Sequence, residues 1–290
     1  MSRKLVLTTF FVTILIGALG LSFEVQRAEA SGTIYIRADG SIDPPTAPIS
    51  TVDNVTYTFT GNINDSIVVE RDNIVVDGAG CTVQGTGALD SKGMDLSERT
   101  NVTVRNTQIQ ASWYGIWLSY ASNNSIVGNN ITANSDAGVR IDSSGNEFYH
   151  NNFNNTRQLY DPFSQRVNVW DDGYPSGGNY WSDLNPADVF SGSYQNETGS
   201  DKIGDTPYII DANNTDSYPL IHPYGYVPSP DFNNDGIIDI FDLVRLAPAF
   251  GSVPGVPNWD PYFDLNQDSI IDIFDLVTVA VNFGKQWTPP

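Results

Sequence analysis

A repeat in the middle of the chain, with a period of about 22 residues, constrains its fold more than any other feature. Apolar residues recur there in two series that keep the same intervals, the second series five positions after the first. The series are Val76, Val104, Ile126 and Phe148, and Cys81, Ile109, Ile131 and Phe153. A third set pairs apolar residues two positions apart: Ile67 and Val69, Met94 and Leu96, Ile116 and Leu118, Val139 and Ile141. This spacing predicts about four stacked coils of a β-solenoid with the aligned side chains pointing inward.

Asparagine, glycine and serine separate these predicted strands. Asn129 and Asn151 fall at the same turn position of successive coils, where side-chain amides can form a hydrogen-bonded ladder. A leucine-rich repeat has a similar period, but its leucine pattern is missing and Val, Ile and Thr dominate the strands. We therefore predict a mainly β protein built on a short parallel β-helix.

Two segments resemble a known group of β-helix proteins. Residues 123–131 read Asn-Asn-Ser-Ile-Val-Gly-Asn-Asn-Ile, and residues 149–153 read Tyr-His-Asn-Asn-Phe. They are similar to right-handed parallel β-helices grouped with the copper-maturation factor of nitrous oxide reductase and with carbohydrate-acting β-helices, and most similar to secreted archaeal proteins. The resemblance implies a fold and says little about function. A dedicated copper site is not expected, because Cys81, Met94, His150 and His222 are the only soft or borderline ligands beyond the N-terminal segment.

Near the C-terminus, the twelve residues 231–242 recur 33 positions later as residues 264–275. Both copies place oxygen side chains at positions 1, 3, 5, 9 and 12, and an EF-hand loop binds calcium through these positions and the position-7 carbonyl. Ordinary turn chemistry explains one such cluster, but not two in identical register. The sequence therefore predicts two calcium ions. The ligand sets are Asp231, Asn233, Asp235, the Ile237 carbonyl, Asp239 and Asp242, and Asp264, Asn266, Asp268, the Ile270 carbonyl, Asp272 and Asp275.

A helical pattern follows each loop and ends at Phe-Gly, where glycine suits a helix C-terminus. These loop-plus-helix units resemble the type I dockerin domain over residues 231–284. The loops differ from an EF-hand in having Asp at position 12, and Pro228 and Pro230 leave little room for a preceding helix. The resemblance implies docking onto a cohesin-like protein through positions 10 and 11, which are Ile240, Phe241, Ile273 and Phe274. The alternative is that these four residues pack inside the module.

The N-terminus predicts export. Arg3 and Lys4 precede an apolar run and Ala28-Glu29-Ala30 offers a cleavage site, which is typical of a signal peptide over residues 1–30. An uncleaved membrane anchor is the alternative. The formal net charge of −20 argues against nucleic acid and anionic lipid as partners. We expect a secreted protein, extracellular or at the cell surface, without an intramolecular disulfide and with eight Asn-x-Ser/Thr sequons open to glycosylation.

The remaining segments complete the predicted organisation. Residues 31–64 are expected to form an N-terminal cap, and residues 65–156 the coils. The aromatic-rich residues 157–225 are expected to cover the last coil, as a similar Gly-Gly-Asn-Tyr-Trp-Ser-Asp segment does in the β-helices that the chain resembles, and a sugar-binding platform is the alternative. Residues 226–230 form a linker, and residues 231–290 form the dockerin-like calcium-binding domain.

No catalytic residues are predicted. A β-helix lyase needs a base, often Lys or Arg, and a hydrolase needs carboxylates grouped on one face. The candidates are Asp77, Asp95, Asp136 and Asp142, with Arg105 and Arg140 nearby. A solvated outer face accounts for them, so we expect a non-catalytic protein that serves adhesion or contacts polysaccharide. The alternative is a small carbohydrate-active enzyme, a polysaccharide lyase or a glycoside hydrolase, carried by its dockerin.

Overall fold

The computed structural model describes residues 32–163, 166–226, 228–266, 268 and 270–287. The predicted signal peptide, residues 1–30, lies outside these ranges. Among the described residues, no helix has the length and apolar character needed to cross a bilayer.

Short strands form most of the structure up to residue 160, three to a coil except in the first coil, which has two additional strands. The first coil holds β1 (Ile34–Ile36), β2 (Ile42–Asp43), β3 (Ile49–Ser50), β4 (Thr56–Phe59) and β5 (Ile63–Asn64). The next coils hold β6 (Ile67–Val69), β7 (Ile74–Asp77), β8 (Thr82–Gln84), β9 (Lys92–Asp95), β10 (Val102–Arg105), β11 (Gln108–Gln110), β12 (Tyr114–Leu118), β13 (Ser125–Val127), β14 (Asn130–Thr132), β15 (Ala137–Ile141), β16 (Glu147–Tyr149) and β17 (Asn152–Asn154). The strands that follow are β18 (Leu159–Tyr160), β19 (Tyr180–Trp181), β20 (Phe190–Ser191), β21 (Glu197–Thr198), β22 (Tyr208–Asp211) and β23 (Asn214–Asp216).

Strands β1 to β19 stack into three sheets that enclose one core, while β20 with β21 and β22 with β23 form two separate antiparallel pairs. Sheet 1 has the order β18-β15-β12-β9-β6-β1-β2, sheet 2 the order β16-β13-β10-β7-β4-β3, and sheet 3 the order β19-β17-β14-β11-β8-β5. Strands of successive coils pair in parallel, whereas β2 and β3 fold back antiparallel at one end. The solenoid has five turns and not the four expected, because residues 34–64 contribute β1, β4 and β5 to the three sheets.

The observed register confirms most of the predicted inward ladders. Val76, Val104, Ile126 and Phe148 pair directly across successive coils of sheet 2 and are fully buried. The prediction for Cys81 was wrong, because Val83 pairs with Ile109 in sheet 3 while Cys81 only packs against the edge of the core. The turn before β8 is two residues longer than in the later coils, and this insertion shifts the ladder from Cys81 to Val83.

Asparagine ladders close the corners between the sheets. The predicted Asn129–Asn151 pair is present, with Asn129 Nδ2 donating to Asn151 Oδ1 at 3.0 Å, and it continues to Asn179. A second ladder runs through Asn124, Asn146 and Asn168, and a third joins Asn134 to Asn155. Each side-chain oxygen also accepts a backbone N–H of the preceding coil. These bonds satisfy polar groups that would be costly to bury unpaired.

Aromatic rings from residues 166–226 cover the last coil. Trp170 stacks on Phe148 with the ring centroids 4.3 Å apart, and Trp181 stacks on Phe153 at 4.6 Å. Tyr208 of β22 then stacks on Trp181 at 4.2 Å. Both tryptophans are almost fully buried, so they extend the core and offer no surface to a sugar.

The C-terminal module contains two short helices, α1 (Ile240–Leu246) and α2 (Ile273–Ala280). Single 3₁₀ turns occupy Ala247–Ala249 and Pro261–Phe263. The two copies pair crosswise, since Gly284 N donates to Ile238 O at 2.8 Å and Gly251 N donates to Ile271 O at 2.7 Å. Their small core is built from equivalent positions of both copies: Phe232 and Leu265, Ile238 and Ile271, Leu246 and Val279. Each copy therefore needs the other to bury its apolar side chains.

Candidate functional site

The first acidic loop folds around Asp231, which is 5% exposed. Its Oδ1 accepts Asp235 N–H at 3.2 Å, and its Oδ2 accepts Gly236 N–H at 2.9 Å. Gly236 has φ +85°, a left-handed conformation that suits glycine and lets the chain turn back at this point. Asn233 Oδ1 accepts Asp235 N–H, and Asp235 Oδ1 accepts Ile237 N–H. Positions 1, 3 and 5 of the predicted ligand set are thus drawn into one tight loop.

The last residue of the loop, Asp242, is fully buried beneath it. Its Oδ1 accepts the N–H groups of Phe232 and Asn233 at 2.7 and 3.2 Å, and its Oδ2 accepts Asp239 N–H at 2.7 Å. Asp239 is in turn the N-cap of α1 and accepts Phe241 N–H. The capping box joins positions 9 and 12 of the loop to the first turn of the helix, and so the loop and the helix form one unit.

The second loop repeats this geometry. Asp264 Oδ1 accepts Asp268 N–H at 3.1 Å, and Asp268 Oδ1 accepts Ile270 N–H at 2.9 Å. Asp275 is fully buried and accepts N–H groups from Leu265, Asn266 and Asp272, as Asp242 does in the first loop. Two independent segments of the chain therefore reach the same local structure.

The donor set of these loops suits a hard cation. Asp231 and Asp242 are buried carboxylates, and no salt bridge between described residues involves either one. A buried carboxylate without a cationic partner is costly, and backbone N–H bonds leave further lone pairs on its oxygens. In the described part of the chain, no three His, Cys, Asp or Glu side chains converge to make a metal centre by themselves. The calcium ligands that we predicted, which include amide and carbonyl oxygens, therefore stay a prediction.

The residues at loop positions 10 and 11 point towards solvent. Ile240 and Phe241 are 55% and 63% exposed, and Ile273 and Phe274 are 55% and 62% exposed. All four lie in the first turn of a helix. Because more than half of each side chain is accessible, none of them belongs to the core of the module.

The catalytic candidates of the solenoid are held in salt bridges. Asp77 pairs with Arg105 at 2.8 Å, and Arg140 Nη1 lies 3.4 Å from Asp142. The other two pairs are Asp95 with Lys92 and Asp136 with Arg157, each at 2.5 Å. These contacts are a sufficient explanation for the acidic and basic residues of the outer faces.

The positions of these candidates also separate them. Asp77 lies on sheet 2 and Asp95 on sheet 1, and Trp117 lies between Asp95 and Arg140 in the register of sheet 1.

The surroundings of Asp77 also lower its pKa. Partial burial acts to raise this pKa, but hydrogen bonds from Ala79, Asn106 and Arg105 have the larger combined effect and leave it below the ordinary value. A carboxyl with a lowered pKa is a poor general acid, so Asp77 does not suit that role.

Within the part of the chain that the structure describes, the soft-ligand side chains do not come together. Met94 is fully buried in sheet 1, and Cys81 packs against the core before β8. The His150 ring stacks on Tyr224 at 4.2 Å with its Nε2 2.9 Å from Ser176 O, and His222 stacks on Tyr226 at 4.6 Å. These residues do not fit a copper site.

One buried carboxylate was missed by the sequence analysis. Asp216 of β23 is fully buried and ends the Asn129 ladder, accepting Asn179 N–H and Trp181 Nε1–H at 2.8 Å each. Burial raises the pKa of Asp216 to about 7, although these hydrogen bonds act in the opposite direction. The interval from Asn179 to Asp216 does not match the period of the coils, so the repeat gave no signal for it.

Comparison with known proteins relates the chain to a protein family. No curated protein and no solved structure matches the chain. The model of the family described as periplasmic copper-binding protein (NosD) matches residues 39–186, which is about half of the chain and nearly the whole solenoid. That description agrees with the predicted export. The chain therefore belongs to the NosD family.

Proposed function

We propose that this protein is an exported β-helix that docks onto a partner protein through its C-terminal, calcium-loaded, dockerin-like module. The solenoid would serve adhesion or contact glycans in an assembly at the cell surface or beyond it. The observation that carries the proposal is the duplication of one exposed apolar pair, Ile240–Phe241 and Ile273–Phe274, each directly after an acidic loop.

The geometry of the module explains why docking should require calcium. A bound calcium ion would supply the positive charge that Asp231 and Asp242 do not receive from the described side chains. Asp239 is both a predicted ligand and the N-cap of α1, and the next two residues are Ile240 and Phe241. An ordered loop therefore fixes the start of the helix and, with it, the direction of both apolar side chains. The second copy has the same arrangement, with an aspartate N-cap directly ahead of its apolar pair.

The four exposed side chains offer enough apolar area for a partner. Burying one Ile-Phe pair would contribute on the order of 3–5 kcal/mol, at roughly 25 cal/mol per Å² of apolar surface. Because the loop carboxylates would bind the calcium ion and backbone N–H groups, they are not available to a partner protein. The exposed apolar side chains are therefore the part of this surface that can bind the partner. A cohesin-like protein is the partner class implied by the resemblance of residues 231–284 to dockerins.

Copper binding and catalysis are not part of this proposal. The NosD family is described as copper-binding, but in this chain Cys81, Met94, His150 and His222 do not converge. The carbohydrate-active enzyme considered as the alternative has no comparable support, because its candidate carboxylates are engaged in salt bridges.

A capture experiment tests the docking proposal. The full chain is used as bait in the secretome of its native host, once with calcium and once with EGTA. We expect one or more surface proteins to be retained only with calcium, and to be lost when both Ile-Phe pairs are changed to Ser-Thr. The quadruple variant should still bind two calcium ions, as measured by calorimetric titration. Capture that is equal in EGTA, or that survives the quadruple change, would contradict the proposal.

A further inference from the structure

A groove of about 410 Å³ opens on the outside of the solenoid, where sheets 2 and 3 meet. Its walls come from four successive coils and from a tyrosine that reaches back from the segment before the C-terminal module. Asn106, Gln108, Asn130 and Asn152 contribute amide side chains, and Tyr224 closes one side. The volume lies in the range of sites for small organic ligands.

The groove exists because one coil lacks a side chain. Asn106, Gly128 and His150 occupy equivalent turn positions in successive coils, and all three have left-handed backbone, with φ of 51°, 65° and 58°. Asn106 and His150 carry side chains at this position, whereas Gly128 leaves open space between them. A Cβ on Gly128 would lie 3.6 Å from Asn106 Oδ1 and 3.8 Å from Tyr224 Cε1, so a larger side chain there would fill the groove.

The lining of the groove is polar and uncharged. Gln108, Asn130 and Asn152 are direct neighbours in the register of sheet 3 and form a row of amides on its outer side. Neighbouring strands are about 4.8 Å apart, a spacing close to the length of one hexose unit in a polysaccharide chain. The Asn130 side chain makes no hydrogen bond with any described residue, and the Gln108 amide donates only to Gly80 O. Donors and acceptors are thus available at Gln108 and Asn130, whereas the Asn152 amide is engaged by the backbone of Tyr224.

Tyr224 gives this groove a fixed aromatic wall. Its backbone N–H donates to Asn152 Oδ1 at 2.6 Å, and Asn152 Nδ2 donates to its carbonyl at 3.2 Å. Its ring stacks on His150 at 4.2 Å and is still 49% exposed. An aromatic ring beside a row of amides suits a ligand with apolar C–H faces and many hydroxyl groups.

We propose that this groove binds a neutral oligosaccharide laid along the coils, with hydroxyl groups on the amides and one sugar ring against Tyr224. The proposal deepens, and rests on, the glycan contact proposed above for the solenoid. Anionic glycans are disfavoured, because no Lys or Arg side chain of the described residues lines the groove. A peptide backbone could also use the amides, but the described lining offers its side chains no apolar recess.

Saturation-transfer NMR on the full chain tests this inference. The probes are three neutral trisaccharides, cellotriose, mannotriose and maltotriose, together with trigalacturonate and trialanine. We expect at least one neutral trisaccharide to bind, in calcium and in EGTA alike, and the two other probes not to bind. Binding that persists in EGTA separates this site from the calcium module, so that failure of the docking proposal and failure of the glycan contact can be told apart.

Gly128→Asn is the decisive variant. Asn106 shows that asparagine is compatible with this left-handed turn, so the variant should fold and fill the groove. Gly145→Asn is the matched control, since it makes the same change at another corner, where Asn101 and Asn123 hold the equivalent positions at φ 55°. We expect Gly128→Asn to weaken trisaccharide binding on the order of tenfold or more, Gly145→Asn to leave it unchanged, and the exposed Asn130→Ala to weaken it by less.

Three outcomes would overturn the inference. They are no binding of any neutral trisaccharide by the wild type, preferential binding of trigalacturonate or trialanine, and undiminished binding by both Gly128→Asn and Asn130→Ala. Melting curves of each variant show whether weaker binding comes from misfolding. If Gly128→Asn is misfolded, the trisaccharide binding of the surface variant Asn130→Ala is the test.

Discussion

The solenoid and the C-terminal module bury polar groups in opposite ways. In the solenoid the buried polar side chains are mostly asparagines, and each finds its partners in the next coil. In the module they are the carboxylates of Asp231, Asp242, Asp264 and Asp275, which gather backbone N–H groups around a negative charge. The solenoid therefore pairs its buried polar side chains with one another, whereas we propose that the module completes its set of partners with a cation. The stability of the first should be independent of calcium, and that of the second should depend on it.

The largest effect should come from a charge inside the solenoid. Val104 is fully buried and stacked between Val76 and Ile126, so Val104→Asp places a carboxylate among apolar side chains. We expect a loss of at least about 4–5 kcal/mol, enough to unfold the coils. Circular dichroism melts measure this loss, and the outward-facing Thr103→Asp serves as the control. A wild-type melting curve for Val104→Asp would show that the core is assigned wrongly.

Asp216 provides an exception within the solenoid, because it places a carboxylate at the end of an amide ladder. Its pKa of about 7 lies above the value near 3.9 of an unfolded chain. The folded state therefore binds a proton more tightly, so the contribution of this group to stability is complete below about pH 4 and is lost as the pH rises through 7. The loss is on the order of 3–4 kcal/mol.

The variant Asp216→Asn isolates this titration. Asparagine resembles the neutral carboxyl, so the variant should lose less stability than the wild type between pH 5 and pH 8, and should be the more stable protein at pH 8. Urea unfolding at a series of pH values gives both curves. Parallel curves would mean that Asp216 does not titrate in this range.

A ladder asparagine should matter less than a core charge but more than a surface residue. Asn151 donates to Ile126 O and Asn179 Oδ1, and its own Oδ1 accepts from Asn129. Asn151→Ala leaves these buried groups unpaired, so we expect a loss of about 2–4 kcal/mol in urea unfolding. The exposed Asn154→Ala is the control, expected within about 0.5 kcal/mol of the wild type. Equal stability of the two variants would show that the asparagine ladders do not stabilise the solenoid.

The smallest effect concerns one half of the proposed docking surface. The two Ile-Phe pairs are equally exposed, so either half of the module can present the same apolar side chains. Changing only Ile240 and Phe241 to Ser-Thr should weaken binding of the captured partner roughly twofold, because the number of equivalent binding modes is halved. Surface plasmon resonance with calcium measures the change. A loss as large as that of the quadruple variant would show that only one half of the module binds.

The repeat predicted the solenoid well where its period is regular. The ladders through Val104, Ile126 and Phe148 and the Asn129–Asn151 pair followed from a constant interval between successive coils. Cys81 was placed wrongly because a longer turn shifts the register by two positions. The first coil was expected to be a cap, since β2 and β3 interrupt it with antiparallel pairs that hide its period.

Features that are formed by segments far apart in the chain could not be predicted from the sequence. The groove depends on a missing side chain at Gly128 and on Tyr224, which the chain brings back over the coils from far along the sequence. Asp216 meets Asn179 from 37 residues away. For the acidic loops the situation is reversed, because all candidate ligands of a loop are close in sequence and the sequence alone proposes the full set.

Scanning calorimetry of the full chain, in excess calcium and in EGTA, tests the contrast between the two regions most directly. At a calcium concentration about 1,000 times the dissociation constant, each site would add about 4 kcal/mol to the stability of the module. We predict two transitions. That of the module moves to markedly lower temperature in EGTA, and that of the solenoid stays in place. In a variant with Asp231→Ala and Asp264→Ala, the difference between calcium and EGTA should be absent. Identical thermograms in calcium and EGTA, or an equal shift of both transitions, would contradict the account.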